Sequence, residues 1–280
     1  MQSFAAPAKL NLMLRVTGQR ADGYHLLQTV FRLIDYGDEI RVAPRPDGLI
    51  RRLQALPGVA EEHDLAIRAA RLLKSATESS SGADIEVVKR LPMGGGLGGG
   101  SSDAATVLIV LNHLWSTGLS RGELQALAVQ LGADVPVFVF GESAFAEGIG
   151  DILSPVDLPP AWYVVLTPDV QVPTGRIFTH ADLKRDSKPI KIQRFSAGWL
   201  AEHAANDLEP LVCRIYPEVS RYLEWLRQYG PARMTGSGAS VYAAFEDERA
   251  ARETFARAPA GMRGFVARGL DRHPLWELAS

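Results

Sequence analysis

The 280-residue sequence predicts a two-domain α+β protein, and three observations support this fold class. In the first half, segments with alternating apolar and polar residues, typical of strands, precede helical segments. A proline-rich stretch at residues 153–160 then separates the two halves of the chain. The second half has the order strand, helix, strand, strand, helix, strand, with one inserted helical region, which is typical of a ferredoxin-like domain. We therefore expect one domain at residues 1–155 and a second at residues 156–280.

Composition limits the kind of protein. Hydrophobic residues make up 46% of the chain and charged residues 22%, as in ordinary globular proteins, and the net charge of -2 gives no general attraction to nucleic acid or to an anionic membrane. A single cysteine excludes an internal disulfide, and no apolar run approaches the roughly 18 residues of a membrane span. We expect a cytoplasmic protein that binds any anion locally. Its oligomeric state cannot be predicted.

The first half begins with predicted antiparallel strands. Apolar and other residues alternate over residues 9–16, which places Lys9 and Asn11 on the same face. A turn signal at Asp22-Gly23 leads to a strand over residues 25–34, and Tyr36-Gly37-Asp38 predicts another turn before a strand at residues 39–42. These segments predict a meander.

Helical spacing follows at residues 65–73, then a strand at 85–91 and helices at 103–115 and 123–131. In the second half the strands are predicted at 162–167, 232–235, 241–245 and 264–268. Helical segments are predicted at 174–183, 217–229 and 247–257.

The stretch at residues 92–105, Pro-Met-Gly-Gly-Gly-Leu-Gly-Gly-Gly-Ser-Ser-Asp-Ala-Ala, carries the chemistry. Its six glycines in seven positions bury no side chain and cost backbone entropy, so packing does not explain them. Glycine permits positive φ and lets backbone N–H groups approach an anion. Because a strand precedes this loop and a helix follows it, the pattern predicts a phosphate site rather than a flexible linker.

Other nucleotide-binding patterns fit less well. The Walker lysine is absent, and so are the H-R-D and D-F-G triplets of protein kinases. Gly94, Gly96 and Gly99 match the dinucleotide pattern G-x-G-x-x-G, but the chain then enters a second helix, capped by Ser120 and Glu123. No βαβ unit is therefore predicted here.

The loop resembles the central phosphate-binding motif of the GHMP small-molecule kinases. Four further stretches belong to the same comparison: residues 7–12 (Pro-Ala-Lys-Leu-Asn-Leu), 20–25 (Arg-Ala-Asp-Gly-Tyr-His), 131–136 (Leu-Gly-Ala-Asp-Val-Pro) and 235–240 (Thr-Gly-Ser-Gly-Ala-Ser). They resemble one branch of that family, and this resemblance implies phosphorylation of a cytidylated sugar alcohol in isoprenoid-precursor synthesis. The resemblance implies a ribosomal-S5-like N-terminal domain, a ferredoxin-like C-terminal domain, and an active site between them.

The resemblance also implies roles for individual residues. Asp134, whose position by itself favours a turn or helix-cap residue, becomes through the resemblance the group that activates or orients the acceptor hydroxyl, and Lys9 becomes its cationic neighbour. ATP would be cradled with Mg²⁺, whose protein ligands the sequence leaves unknown, by Pro92, Met93, Gly94, Gly95, Gly96, Leu97, Gly98, Gly99, Gly100, Ser101 and Ser102. The third-motif loop, Gly236, Ser237 and Gly238, would lie over the phosphates, although an ordinary hairpin turn fits the same residues.

At the acceptor end, the resemblance implies that Tyr24 would stack on cytosine, that His25 would bond its edge, largely through its backbone, and that Phe178 would close the other side. Asn11 and Thr174 would also contact the acceptor. Phe178 fits a helix core equally well, and Asp64 departs from the family's usual Asn-Leu, which leaves an adenine contact there open. Two alternatives also stay open: a GHMP kinase acting on mevalonate or homoserine, and a non-catalytic nucleotide or sugar sensor on the same fold.

Overall fold

The computed structural model describes residues 1–191, 199 and 203–279. Its strands form one ten-stranded sheet with the order β3-β4-β2-β10-β7-β9-β8, to which β1 and β5 are joined through β2, and β6 through β5. The strands are β1 (Gln2–Gln19), β2 (His25–Arg45), β3 (Ile50–Arg52), β4 (Gly82–Val88), β5 (Ala144–Glu147), β6 (Ile152–Pro155), β7 (Trp162–Leu166), β8 (Ala232–Met234), β9 (Val241–Phe245) and β10 (Gly264–Leu270).

Helices pack against this sheet, and most of them lie close to the predicted helical segments, but the short helix Val135–Phe140 was not predicted. They are α1 (Leu65–Thr77), α2 (Gly99–Leu114), α3 (Arg121–Val129), α4 (Val135–Phe140), α5 (Thr174–Phe178), α6 (Glu209–Ile215), α7 (Pro217–Arg227) and α8 (Glu248–Ala256). The predicted capping box of α3 is present, with Ser120 and Glu123 bonding reciprocally. No described helix is long and apolar enough to cross a membrane.

The predicted turn at Tyr36-Gly37-Asp38 is wrong. β2 is one continuous strand that pairs antiparallel with β1 along its length, and the register shifts between Pro7 and Ala8, opposite this segment. A Cβ on Gly37 would overlap the Ala6 carbonyl oxygen. The glycine therefore permits close approach of two backbones at a strand irregularity, which in sequence looks like a turn.

The second half has the predicted ferredoxin-like topology. β7, β8, β9 and β10 lie in the order β10-β7-β9-β8, and each neighbouring pair is antiparallel. The helical segment predicted at 174–183 is shorter, because α5 ends at Phe178. The inserted helical region includes α6, which begins at Glu209.

The two halves share strand pairing and core. Gly269 and Leu270 of β10 pair with Ile34 and Leu33 of β2, so the sheet continues from one half to the other. Leu275, near the end of the chain, packs in the core of the first half. The boundary at residues 155/156 stays a prediction, and it falls just after β6.

Candidate active site

One cavity of about 860 Å³ brings together most of the predicted site residues. Its walls are the glycine-rich loop, the β1-β2 turn, α5 and the third-motif loop. Of the predicted residues, these line it: Lys9, Asn11, Tyr24, His25, Pro92, Met93, Gly94, Gly95, Gly96, Leu97, Gly98, Gly99, Gly100, Ser101, Asp134, Thr174, Phe178, Gly236 and Ser237. Ser102 is fully buried behind the wall, and a Cβ on Gly238 would lie 2.8 Å from Met234 Sδ and point into the core.

The glycine-rich loop adopts the backbone that its composition predicts. Gly94, Gly96 and Gly98 have φ of 70°, 76° and 75°, a region that favours glycine. Packing explains more of the glycines than expected: a Cβ on Gly96 would overlap the Thr235 carbonyl oxygen, and one on Gly98 would lie 2.9 Å from Phe138 Cζ. Gly100 is different, because its added Cβ would meet only Leu65 Cδ1, at 3.7 Å, within the described structure.

The loop leads directly into α2, which begins at Gly99, four residues before the predicted start at residue 103, and has Gly98 as its N-cap. The first intrahelical bond runs from Ser102 N to Gly98 O at 2.8 Å, so the amides of Gly99, Gly100 and Ser101 precede the helical ladder. Free N–H groups and the positive end of the helix dipole suit a phosphate.

Lys9 and Asp134 meet at the centre of the cavity. The buried Lys9 Nζ lies 3.2 Å from Asp134 Oδ2 and donates to Asn11 Oδ1 at 2.5 Å. Asn11 in turn donates to Thr29 Oγ1 at 2.9 Å, which fixes its amide. Asp134 is the N-cap residue of α4, yet its side chain makes no capping bond within the described structure. Asp134 thus has the turn and N-cap position that the sequence favours, but its carboxylate pairs with Lys9 and does not cap the helix.

The acceptor end of the cavity is partly aromatic. The rings of His25 and Phe178 lie 5.0 Å apart at 39°, and Tyr24 is 59% exposed at the cavity wall. Phe178 also packs against the core of the second half, as its helix-core interpretation requires, and its role in closing over the acceptor stays a prediction. Burial first, and then the charge of Arg185, lower the pKa of His25.

The third-motif loop closes over the glycine-rich loop. Ser240 N donates to Gly95 O at 3.1 Å, and Asn11 N donates to Thr235 Oγ1 at 2.9 Å. Across the cavity, the hydroxyls of Thr174 and Ser237 are 2.7 Å apart. These bonds tie both halves of the chain to one site.

A buried charge cluster beneath the glycine-rich loop was missed. Lys89 Nζ bonds Asp38 Oδ2, and it lies 2.9 Å from Asp103 Oδ2. Asp38 Oδ1 also accepts from the amides of Arg90 and Leu91, at 2.6 and 2.8 Å. The cluster thus fixes the strand that leads into the loop. No local sequence signal indicates this cluster, because the sequence predicts Asp38 in a turn and Asp103 at the start of a helix.

Burial and the charges of this cluster shift the pKa values of Asp103 and Lys89. Burial raises the pKa of Asp103 to about 7, with the attraction of Lys89 opposing that shift and the charge of Asp38 adding to it. Burial lowers the pKa of Lys89, but the charges of Asp103 and Asp38 outweigh it, and the net direction is upward. Oδ1 of Asp103 has no partner among the described residues, and Asp103 lines the cavity.

An apolar end of the cavity was also missed. It is lined by Leu56, Val59 and Leu65, which surround His63 and Asp64. Asp64 caps α1 by accepting from Ala66 N at 3.0 Å and pairs with Arg52 at 3.4 Å. Its carboxylate therefore holds the wall, which accounts for an Asp at this position.

Comparisons with known proteins identify the family. Residues 64–142 match the GHMP kinases N terminal domain, and residues 191–264 match the GHMP kinases C terminal domain. The chain is 60% identical over 276 residues to a 4-diphosphocytidyl-2-C-methyl-D-erythritol kinase of Thiobacillus denitrificans, covering 99% of this chain and 98% of that protein. It is 58% identical to the kinase of the same name from Nitrosospira multiformis, covering 99% and 94%. The chain belongs to the 4-diphosphocytidyl-2-C-methyl-D-erythritol kinase family.

Solved structures agree with this family and confirm the GHMP kinase fold. A crystal structure of 4-(cytidine 5'-diphospho)-2C-methyl-D-erythritol kinase is 34% identical, with a TM-score of 0.82 over 96% of this chain and 99% of that one. The homoserine kinase of Cytophaga hutchinsonii has a TM-score of 0.67 over 97% and 94%, but at 17% identity it shows the fold alone. As a GHMP kinase, the chain is an ATP-dependent small-molecule kinase.

Proposed function

We propose that this kinase transfers the γ-phosphoryl group of ATP to the 2-hydroxyl of 4-diphosphocytidyl-2-C-methyl-D-erythritol, giving the 2-phosphate and ADP in the non-mevalonate route to isoprenoid precursors. One observation carries the proposal. The Lys9–Asp134 pair lies in the same cavity as the phosphate-type loop and as the aromatic end formed by Tyr24, His25 and Phe178. A transferring phosphoryl group and its acceptor would meet at that pair.

Phosphoryl transfer depends mainly on positioning and on neutralising charge. The amides of the glycine-rich loop and of the α2 N-terminus would cradle the ATP phosphates. Asp134 would accept the proton of the acceptor hydroxyl, or orient that hydroxyl, while the Lys9 ammonium offsets negative charge on the entering oxygen. Asn11, held by Thr29, keeps the ammonium in place.

The residues beside the loop fit Mg²⁺, which prefers oxygen ligands and takes many of them from nucleotide phosphates. The described residues contain no cluster of three His, Cys, Asp or Glu side chains, so the phosphates would supply several ligands. Asp103, whose Oδ1 has no partner in the described part of the chain, and the Ser101 hydroxyl would supply the protein's oxygen ligands. When bound, Mg²⁺ neutralises charge on the phosphates.

The cytidine end would bind the acceptor far from the reacting hydroxyl. Tyr24 and Phe178 offer aromatic faces, and the His25 imidazole offers a polar group beside the Phe178 ring. Binding energy at such a remote group orients the hydroxyl for transfer. The apolar end formed by Leu56, Val59 and Leu65 suits the adenine of ATP, which needs a nonpolar surface to stack on.

A substrate panel tests the proposal. The protein is incubated with ATP and Mg²⁺ and with one of four acceptors: the cytidylated acceptor, methylerythritol phosphate, mevalonate or homoserine. The masses of the products are measured by mass spectrometry. We expect a mass gain of one phosphate on the cytidylated acceptor and very little on the others. Faster phosphorylation of mevalonate or homoserine would exclude the proposed substrate, and ATP binding without ADP release would favour a sensor.

A further inference from the structure

Arg185 connects two walls of the acceptor end from behind. Its Nε donates to His25 Nε2 at 3.0 Å, and its Nη2 donates to the carbonyl oxygens of Phe178 and His180, each at 2.8 Å. Its Nη1 donates to the Leu183 carbonyl at 3.0 Å. Four of the five guanidinium N–H donors are thus used, and the side chain has one fixed position.

This arrangement determines the protonation of His25. A guanidinium is always charged and only donates, so the Nε2 that faces it must accept. The imidazole is then neutral and carries its hydrogen on Nδ1. Within the described part of the chain no other group hydrogen-bonds the ring, which leaves Nδ1–H as its one donor for a ligand.

The same side chain also sets the distance between the walls. Phe178 ends α5, and its carbonyl is held by the guanidinium that holds the His25 ring, at the start of β2. The two rings consequently lie 5.0 Å apart. Without Arg185, the His25 ring could adopt either tautomer. The hydrogen bonds that link the Phe178 carbonyl at the end of α5 to His25 through the guanidinium would also be lost.

We propose that Arg185 is a positioning residue that presents His25 to the acceptor as an Nδ1–H donor and thereby favours a base whose N3 accepts a hydrogen bond. Cytosine N3 is an acceptor, whereas uracil N3 carries a hydrogen and would face the Nδ1–H donor to donor, so the pocket would prefer a cytidylated acceptor to a uridylated one. The inference rests on the proposed function, because it concerns how that same acceptor is selected.

Variants of Arg185 test this inference. Arg185→Met removes every donor, Arg185→Lys keeps the charge but loses the fork, and Lys184→Met, an exposed neighbour, is the matched control. We expect the KM for the cytidylated acceptor to rise roughly tenfold in both Arg185 variants, as for loss of one hydrogen bond, with the KM for ATP unchanged. The preference for cytidylated over uridylated acceptor, as a ratio of kcat/KM, should fall in both, and the control should match wild type.

Nitrogen-15 NMR of His25 provides a readout that a merely structural role would not move. In the wild-type protein Nδ1 should have the shift of a protonated ring nitrogen and Nε2 that of an unprotonated one, and Arg185→Met should give a tautomer mixture. An Nε2–H tautomer in wild type, or a folded Arg185→Met protein with unchanged acceptor KM and unchanged base preference, would overturn the inference.

The NMR measurement also separates this inference from the proposed function. The measurement needs no substrate, so it tests the His25 tautomer whether or not the cytidylated acceptor is phosphorylated. If the tautomer is as expected and that acceptor is not phosphorylated, only the proposed function fails. If Arg185→Met does not fold, the wild-type tautomer and the Arg185→Lys kinetics decide.

Discussion

Replacing Asp134 by Asn should separate catalysis from folding. The carboxylate makes no capping bond to α4 within the described structure, and its side chain is 38% exposed, so solvent screens its pairing with Lys9. Exposed ion pairs contribute at most about 1 kcal/mol to stability, but the Lys9 ammonium is buried, and a buried charge that loses its partner costs more. Lys9 keeps its bond to Asn11 in the variant, which limits that cost. We therefore expect the free energy of unfolding to fall by about 1–3 kcal/mol.

The expected effect on turnover is much larger. A positioned general base contributes about 10²–10⁴-fold, which corresponds to roughly 3–5 kcal/mol of activation free energy. Because the Asn amide has nearly the same shape, the loss would come from the missing charge and basicity rather than from a cavity. ATP affinity should stay close to that of the wild type, because the proposed role of Asp134 is toward the acceptor hydroxyl and not toward the nucleotide.

The assay is ADP release at saturating ATP and cytidylated acceptor, with calorimetric ATP titration and thermal unfolding as companion measurements. Asp157→Asn, at an exposed loop position, is the matched control. A folded variant whose kcat stays above about a tenth of the wild-type value would refute the reasoning, since a neutral amide would then suffice. An equal loss of ATP affinity would instead assign Asp134 to nucleotide binding.

Three other predictions follow from the same geometry. Gly100→Ala places a methyl group on the cavity wall at the second residue of α2. The fold should become more stable by ~0.5–1 kcal/mol, but ATP binding, measured by calorimetry, should weaken by about 1.5–3 kcal/mol. The control Gly122→Ala, at the second residue of α3, should only stabilise the fold. Tyr24→Ala should raise the KM for the cytidylated acceptor by the equivalent of ~1–3 kcal/mol, one stacking interaction, with ATP affinity unchanged. Burial, with a smaller effect of the Arg121 charge, lowers the pKa of His273 to about 3, so the unfolded chain binds the proton first and stability should fall as pH drops from 6.5 towards 3. Denaturant titrations should show this slope, at most about 1.4 kcal/mol per pH unit, reduced in His273→Gln and retained in His113→Gln, at an exposed position.

Each of these predictions has a clear contrary result. Unchanged ATP affinity in a folded Gly100→Ala protein would mean that phosphate does not approach the α2 N-terminus. A Tyr24→Ala protein with wild-type acceptor kinetics would exclude stacking at that ring. Identical acid slopes for the two histidine variants would show that His273 is not the group that resists protonation.

Most of the residues that line the cavity could be singled out from the sequence because they lie in short contiguous stretches. The glycine-rich loop contains its own conformational requirement, since Gly94, Gly96 and Gly98 all take positive φ. Packing nevertheless accounts for part of that composition, because Gly96 and Gly98 have backbone or aromatic neighbours where a Cβ would be. The sequence pattern alone cannot distinguish a glycine that faces a ligand from one that faces the protein.

The charge cluster of Asp38, Lys89 and Asp103 could not be predicted in the same way. Its members come from β2, the segment after β4, and α2, and each has an ordinary local explanation. Gly37 was misinterpreted for a related reason, because its requirement comes from the facing strand and not from its own neighbours in sequence. Pairing partners decide whether a glycine makes a turn or a close contact.

The sequence by itself determined the α+β class, the ferredoxin-like order of the second half, the phosphate-type loop and the family, because periodicity, caps and motifs depend on neighbouring residues. Tertiary structure alone decided that Lys9 meets Asp134 at 3.2 Å, that Arg185 holds His25, and that β10 joins β2. These contacts join residues far apart in the chain. They exist only when sheet register and helix packing bring the side chains together, and no local preference encodes that distance.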